Sequence, residues 1–146
     1  MKATREVFFR RLSSEENQRL NDLGLLVLRL VAGLTMAAQH GIGKLQNLLN
    51  GNVQFPDPIG IGATTSLFLA GMTEFFCALA ISLGILTRLM SIPLAFTMMI
   101  AAFVVHANDS FDRKELAILY LVIFFIFVLT GPGRYSVDAK ILRNKR

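Results

Sequence analysis

The sequence predicts an all-α membrane protein, a bundle of four transmembrane helices with both termini cytoplasmic. Three observations carry that prediction. The chain of 146 residues is 53% hydrophobic and only 17% charged, with a mean hydropathy of +0.54, oilier than a soluble domain of this size needs to be. Its apolar residues gather in four runs, 23–45, 64–86, 89–107 and 114–130. At about 1.5 Å per residue, each can cross a hydrocarbon core of about 30 Å. Lys and Arg then fall unevenly on the two sides of those runs. The side holding both termini collects Lys2, Arg5, Arg10, Arg11, Arg19, Arg88, Arg134, Lys140, Arg143, Lys145 and Arg146, and the other side only Lys44, Arg113 and Lys114. The positive-inside rule makes the richer side cytoplasmic.

The net charge of +5 therefore follows from topology and gives no support to a nucleic-acid partner. A soluble up-and-down bundle would need helices with a wet face dense in Lys and Glu, which runs two, three and four lack. One transmembrane domain, residues 23–138, accounts for the chain, with a leader at 1–22 and a basic tail at 139–146 that can meet anionic lipid heads. Cys77 has no intrachain disulfide partner and is expected to pack as a small hydrophobe.

The leader holds four acids, Glu6, Glu15, Glu16 and Asp22, and Arg29 interrupts the following apolar run; neither suits a cleaved secretory signal. Val7, Phe8, Phe9 and Leu12 among Arg5, Arg10 and Arg11 suggest a short amphipathic piece at the membrane surface. Ser13 with Glu16 has capping-box spacing and Asn21 or Asp22 suits an N-cap, so a break before the first long helix is expected. In that helix, steps of three and four from Arg29 reach Gly33, Met36, His40 and then Gly43 or Lys44, a stripe that should face protein.

Residues 46–63 are rich in Asn, Gly and Pro and form a loop outside the hydrocarbon. The second helix carries Glu74 near its centre, with Ala70, Gly71, Ala78 and Ser82 at helical spacing, a face another helix can approach closely. A turn at residues 84–88 leads to the third helix, with Pro93 in about its first turn and His106 at its end. The fourth helix opens with Lys114 and Glu115, contains Tyr120, and stops at Gly131, Pro132 and Gly133.

Depth then sorts the polar residues. Arg29 lies about 10 Å inside the cytoplasmic edge and Glu74 about 15 Å below the outer one. An unpaired charge there costs several kcal/mol, so the two are expected to pair, either to fix helix register or to serve function. His40, Lys44, His106 and Glu115 fall near the outer helix ends and predict a second polar layer open to the outside. Structural roles compete at each. The histidines can bond loop backbone, Lys44 can snorkel to phosphate heads, and Glu115 suits the first turn of a helix. Tyr120 is about 140° around its helix from Glu115, so the two need not share a site. Two histidines on different helices could ligate a haem, but both sit at the outer rim and nothing else supports it. The sequence carries no constellation for hydrolysis, phosphate binding, flavin or metal.

Arg29 with Leu30, His40-Gly41-Ile42-Gly43-Lys44, Pro58-Ile59-Gly60-Ile61-Gly62, Glu74, Gly84-Ile85-Leu86-Thr87-Arg88, His106, Lys114-Glu115 with Tyr120, and Gly131-Pro132-Gly133-Arg134-Tyr135-Ser136-Val137-Asp138 form an ordered set. The set resembles the DoxX family of small bacterial membrane proteins. The resemblance implies a four-helix inner-membrane protein labelled an oxidoreductase, with some relatives tied to quinone-linked sulfur oxidation and others to complexes with soluble redox or sulfur-transfer enzymes. Together, resemblance and residues lead to the expectation of an oxidoreductase component that binds a quinone or similar lipophilic redox molecule between its helices. Arg29, His40, Lys44, Glu74, His106, Glu115 and Tyr120 are the candidate ligand-binding residues, with Glu74 and Glu115 as candidate proton-exchanging groups. Lipid and either partner proteins or further copies of the chain are the expected partners. Two other readings stand beside it: a non-catalytic scaffold or anchor for partner proteins, and a small-solute carrier, which four helices could form only by oligomerising.

Overall fold

A computed structural model describes residues 15–144, and among these every regular element is helical. Four rods alternate in direction. The first contains α1 (Glu15–Met36), a π-helical turn (Ala37–Gly41) and α2 (Ile42–Leu49). The second is α3 (Ala63–Met72), a π-helical turn (Thr73–Cys77) and α4 (Ala78–Leu83). The third is α5 (Thr87–Ile100), closed by a π-helical turn (Ala101–Val105). The fourth is α6 (Phe111–Thr130), and a short α7 (Val137–Asn144) follows it. The spans Glu16–Leu49, Ala63–Leu83 and Thr87–Val105 are long and apolar enough to cross a membrane. The fourth rod has the length, but Asp112, Arg113, Lys114 and Glu115 crowd its first turn.

Small residues set the register of the first two rods. A methyl group at Gly33 would sit 2.1 Å from Ser82 Oγ and 2.6 Å from the Ala78 carbonyl, and one at Gly41 would sit 2.8 Å from Phe75 Cα. Close backbone approach of this kind is what packs helices where no water drives them together. Successive rods pack on one another, and Tyr120 of the fourth reaches back to the first. Inside lie Met36, Ala37, Ala78, Ile81, Leu94, Met98, Phe124 and Phe127, with Cys77 packed against them as a small hydrophobe. Large apolar side chains such as Val27, Phe76, Phe103 and Phe125 point outward, the pattern of a bundle solvated by lipid.

The side of the bundle that holds the described ends is tied by polar contacts from the segment after α6. Gly131, at φ +77°, ends α6, and Asp22 Oδ1 accepts the Arg134 backbone N–H at 2.9 Å. Asp138 accepts the backbone N–H groups of Leu86 (2.8 Å) and Thr87 (3.1 Å), satisfying orphan donors at the start of α5. Its own N–H donates to the Gly84 carbonyl at 2.9 Å.

Several expectations change here. The first helix does not begin near residue 23: it runs without a break from Glu15, and Asp22 is used to hold Arg134 rather than to cap. The expected amphipathic piece at residues 7–12 and the Ser13 cap lie outside the described residues. The tail is largely helical as α7, which also takes in Val137 and Asp138. Pro93 sits in the second turn of α5, because that helix starts at Thr87.

Candidate functional site

Arg29 and Glu74 do not pair, which corrects the sequence reading. Arg29 is level with the turn after α4: a methyl group on Gly84 would lie 2.0 Å from its NH1. Glu74 is ten residues back along the second rod, about 15 Å away along the axis. The guanidinium instead donates to the backbone carbonyls of Tyr135 at 2.6 Å and Ile81 at 3.5 Å and is wholly buried. Depth counted from the ends of apolar runs misplaced it, because the first rod extends well beyond its apolar run at the N-terminal side and the Gly33 and Gly41 contacts fix the real register.

Glu74, 3% exposed, pairs with Lys44, whose ammonium donates to Glu74 Oε2. Lys44 also lies 5.9 Å from the centre of the Phe55 ring, a cation–π arrangement. This pair forms the polar wall of a cavity of about 470 Å³ between the second and third rods, under the loop that joins the first two. The remaining lining is mostly apolar: Phe55, Pro56, Pro58 and Ile61 from the loop, Leu69 and Ala70 from α3, and Phe96, Ile100 and Val105 from the third rod. Leu69 and Phe96 are about half exposed, at 48% and 51%, so the cavity opens on the apolar flank of the bundle. His106 stands at the rim, its Nδ1 2.8 Å from Asp109 Oδ2. That hydrogen bond holds the Asp109 carboxyl below the usual carboxylate range, with Arg113, His106 and Lys114 adding positive charge nearby.

Among the described residues, the three π-helical turns adjoin this region. One carries Glu74, one carries His40 opposite it on the first rod, and the third supplies Ala101 and Val105 to the lining. A π-helical turn inserts one residue and rotates the side chains that follow, a feature often found beside functional sites. It also explains why the buried stripe of the first rod runs from Arg29 through Gly33, Met36 and Ala37 to Gly41, leaving Gly43 exposed.

The expected outer polar layer is divided. Lys44, Glu74 and His106 share the cavity. His40 is absent from its lining and packs edge-on against Tyr120, ring centres 6.0 Å apart, although its turn packs on the one that carries Glu74. Tyr120 stacks on Phe124 and its hydroxyl is 2.8 Å from Thr35 Oγ1, which also donates to the Val31 carbonyl. Glu115 is exposed in the first turn of α6 and lines no part of the cavity. Among the described residues no group of three His, Cys, Asp or Glu side chains is placed to hold a metal ion.

Sequence reasoning missed the loop. Asp57 accepts the backbone N–H groups of Ile61 and Gly62, both at 2.9 Å, and the Ser66 hydroxyl at 3.1 Å, pinning the loop to the start of α3 above the cavity. The Gly62 bond is the main reason its carboxyl lies below the usual range, with Ser66, Ile61 and Gly60 reinforcing it. An Asp followed by Pro58-Ile59-Gly60-Ile61-Gly62 was the available signal, since Gly-rich backbone offers amides to a nearby carboxylate.

An apolar helical bundle with a buried ion pair walling a flank-opening cavity defines a small membrane protein. The chain belongs to the DoxX family, whose profile matches residues 24–107. It is 32% identical to the inner membrane protein YqjF of Escherichia coli K12, over 88% of this chain and 98% of that one. It is 30% identical to an uncharacterized protein of Haemophilus influenzae, over 82% and 91%. An uncharacterized membrane protein of Mycobacterium tuberculosis is 27% identical, over 80% of each chain. No solved structure matches the chain. The family seen in the ordered motifs is thus borne out.

Proposed function

We propose that the protein is a multi-pass inner-membrane component of an oxidoreductase system, and that the cavity beside Lys44 and Glu74 holds the head of a quinone or similar lipophilic redox molecule. The carrying observation is a buried ion pair at the wall of an apolar cavity that opens sideways toward lipid. Its volume of about 470 Å³ lies within the range that small-molecule sites occupy, about 300–1,000 Å³. The donor set suits a ring carbonyl. Lys44 has three N–H donors and gives only part of them to Glu74, and Nε2 of His106 remains for hydrogen bonding when Nδ1 is taken by Asp109. Phe55 and Phe96 offer flat surfaces for the ring. A quinone supplies two-electron, two-proton chemistry when bound, and the electrons come from a partner enzyme. Glu74 and Lys44 hold and exchange the protons, Phe55 and the loop prolines exclude water, and the half-exposed Leu69 and Phe96 guide the tail.

The same reading places the fourth rod across the membrane, its uncharged residues 116–130 covering about 22 Å of the hydrocarbon core and the charged residues 112–115 reaching the outer headgroups. Both described ends then lie on the cytoplasmic side, where Lys and Arg concentrate. The Escherichia coli relative, named an inner membrane protein, supports the inner membrane.

The test is to purify the protein in mild detergent, extract it with organic solvent and quantify quinones by mass spectrometry, beside an unrelated membrane protein. Near-stoichiometric quinone that falls to background in Glu74→Gln, with His40→Ala retaining it, is the expected result. Background quinone in the parent protein overturns the proposal and favours a scaffold without redox chemistry.

A further inference from the structure

The opposite end of the bundle carries a second hollow, wider and of different character. It encloses about 800 Å³ and is walled by Arg19 of α1, Arg134 and Tyr135 of the segment after α6, and Lys140 and Arg143 of α7. Four cations thus line it, and among the described residues no acid does. Asp138 caps α5, while Asp22 accepts the Arg134 backbone N–H and also pairs with the Arg134 side chain, 3.7 Å from its Nε, so that one of the four is already ion-paired. Among the described residues Arg19, Lys140 and Arg143 form no ion pair.

Apolar surface borders the cations directly. Leu83 in the wall is 59% exposed, and Val137, which also lines it, is 38% exposed. Positive heads beside exposed aliphatic side chains, on a short amphipathic helix at the end of a bundle, match the boundary between lipid headgroups and acyl chains.

We propose that this hollow is a binding site for the headgroup of an anionic diacyl phospholipid, with Arg19, Lys140 and Arg143 on its phosphate and Leu83 and Val137 against its chains. Soluble phosphate offers the same anion but no acyl chains, so chain contact separates the two sources. This site is about a bundle's length from the Lys44–Glu74 cavity and does not depend on what that cavity holds.

The experiment titrates delipidated full-length protein in neutral detergent with short-chain phosphatidylglycerol, short-chain phosphatidylcholine or inorganic phosphate, and reads the heat of binding. Saturable binding of phosphatidylglycerol is expected, with phosphatidylcholine and phosphate much weaker. Lys140→Gln with Arg143→Gln should weaken it roughly 25-fold, about fivefold per charge. Arg19→Gln, on a different helix, should weaken it about fivefold, and so checks the site even if α7 loosens. Neutralising Arg113 and Lys114 at the other end should change little. Equal binding of the two lipids, equal binding of phosphate, or an equal loss on neutralising Arg113 and Lys114 would each overturn the proposal.

Discussion

The two ends of the bundle both bury charge, and they use it differently. At the end holding the described termini, Arg29 and Asp138 are answered by backbone groups: carbonyls of Tyr135 and Ile81, and amides of Leu86 and Thr87. Those partners belong to three separate chain segments, so each charge works as a clamp. At the other end, Glu74 is answered by one side chain, Lys44, itself 21% exposed and facing a cavity. Backbone partners cannot turn away, whereas a lysine stem can. The first arrangement fixes a fold; the second leaves a pair whose lysine can move, which is what the proposed ligand site requires.

The sharpest way to break the clamp is Gly84→Ala. Gly84 takes φ +73°, and an added methyl would meet Arg29 NH1 at 2.0 Å and Ser136 Cβ at 2.5 Å. The left-handed backbone alone costs about 1 kcal/mol, and displacing the guanidinium forfeits charge-assisted hydrogen bonds worth about 1.5–3 kcal/mol each. A loss of about 4 kcal/mol is expected, read as the largest fall in unfolding free energy or melting temperature in detergent. A variant that melts with the parent would show that the clamp carries no stability.

The cavity pair should prove softer. Glu74→Gln is expected to cost about 1–2 kcal/mol, less than the 3–5 of a fully buried pair, because Lys44 can swing toward the aqueous edge. Lys44→Gln alone should cost a similar amount, and the double variant less than the two losses together. Strict additivity would mean that the two side chains are not coupled, removing the basis for the contrast between the ends.

What the residues revealed in advance divides along the same line. The oily composition, the four runs, the small-residue face of the second helix and the Gly131 stop were legible because each is local and periodic. Glu74 and Lys44 were legible as candidates, but their pairing was not. Matching Arg29 to Glu74 required a register, and register is set by contacts such as Gly33 on Ser82 that no single helix displays. The π-helical turns were invisible for a related reason: one inserted residue leaves composition unchanged while rotating the side chains that follow it. Asp57 was overlooked because a carboxylate in a polar loop looks solvated until its acceptor role is seen.

Asp57 supplies the finest probe of the comparison, since it acts on the loop above the cavity and on nothing at the clamped end. Its carboxyl is held below the ordinary value of about 3.9 by the Gly62 amide and its neighbours. A depressed folded pKa means that the ionised form stabilises the loop. That contribution is fully present above the ordinary carboxylate pKa and is lost as pH falls past it through the lower folded value. Opening of the loop at acid pH should therefore expose the amides of Ile61 and Gly62 to hydrogen exchange. Asp57→Asn should reproduce the exposed loop at neutral pH, and then show little further change on acidification. Exchange corrected for its intrinsic pH dependence would settle the matter: amides at 61 and 62 equally protected in parent and variant would show that the carboxylate does not hold the loop.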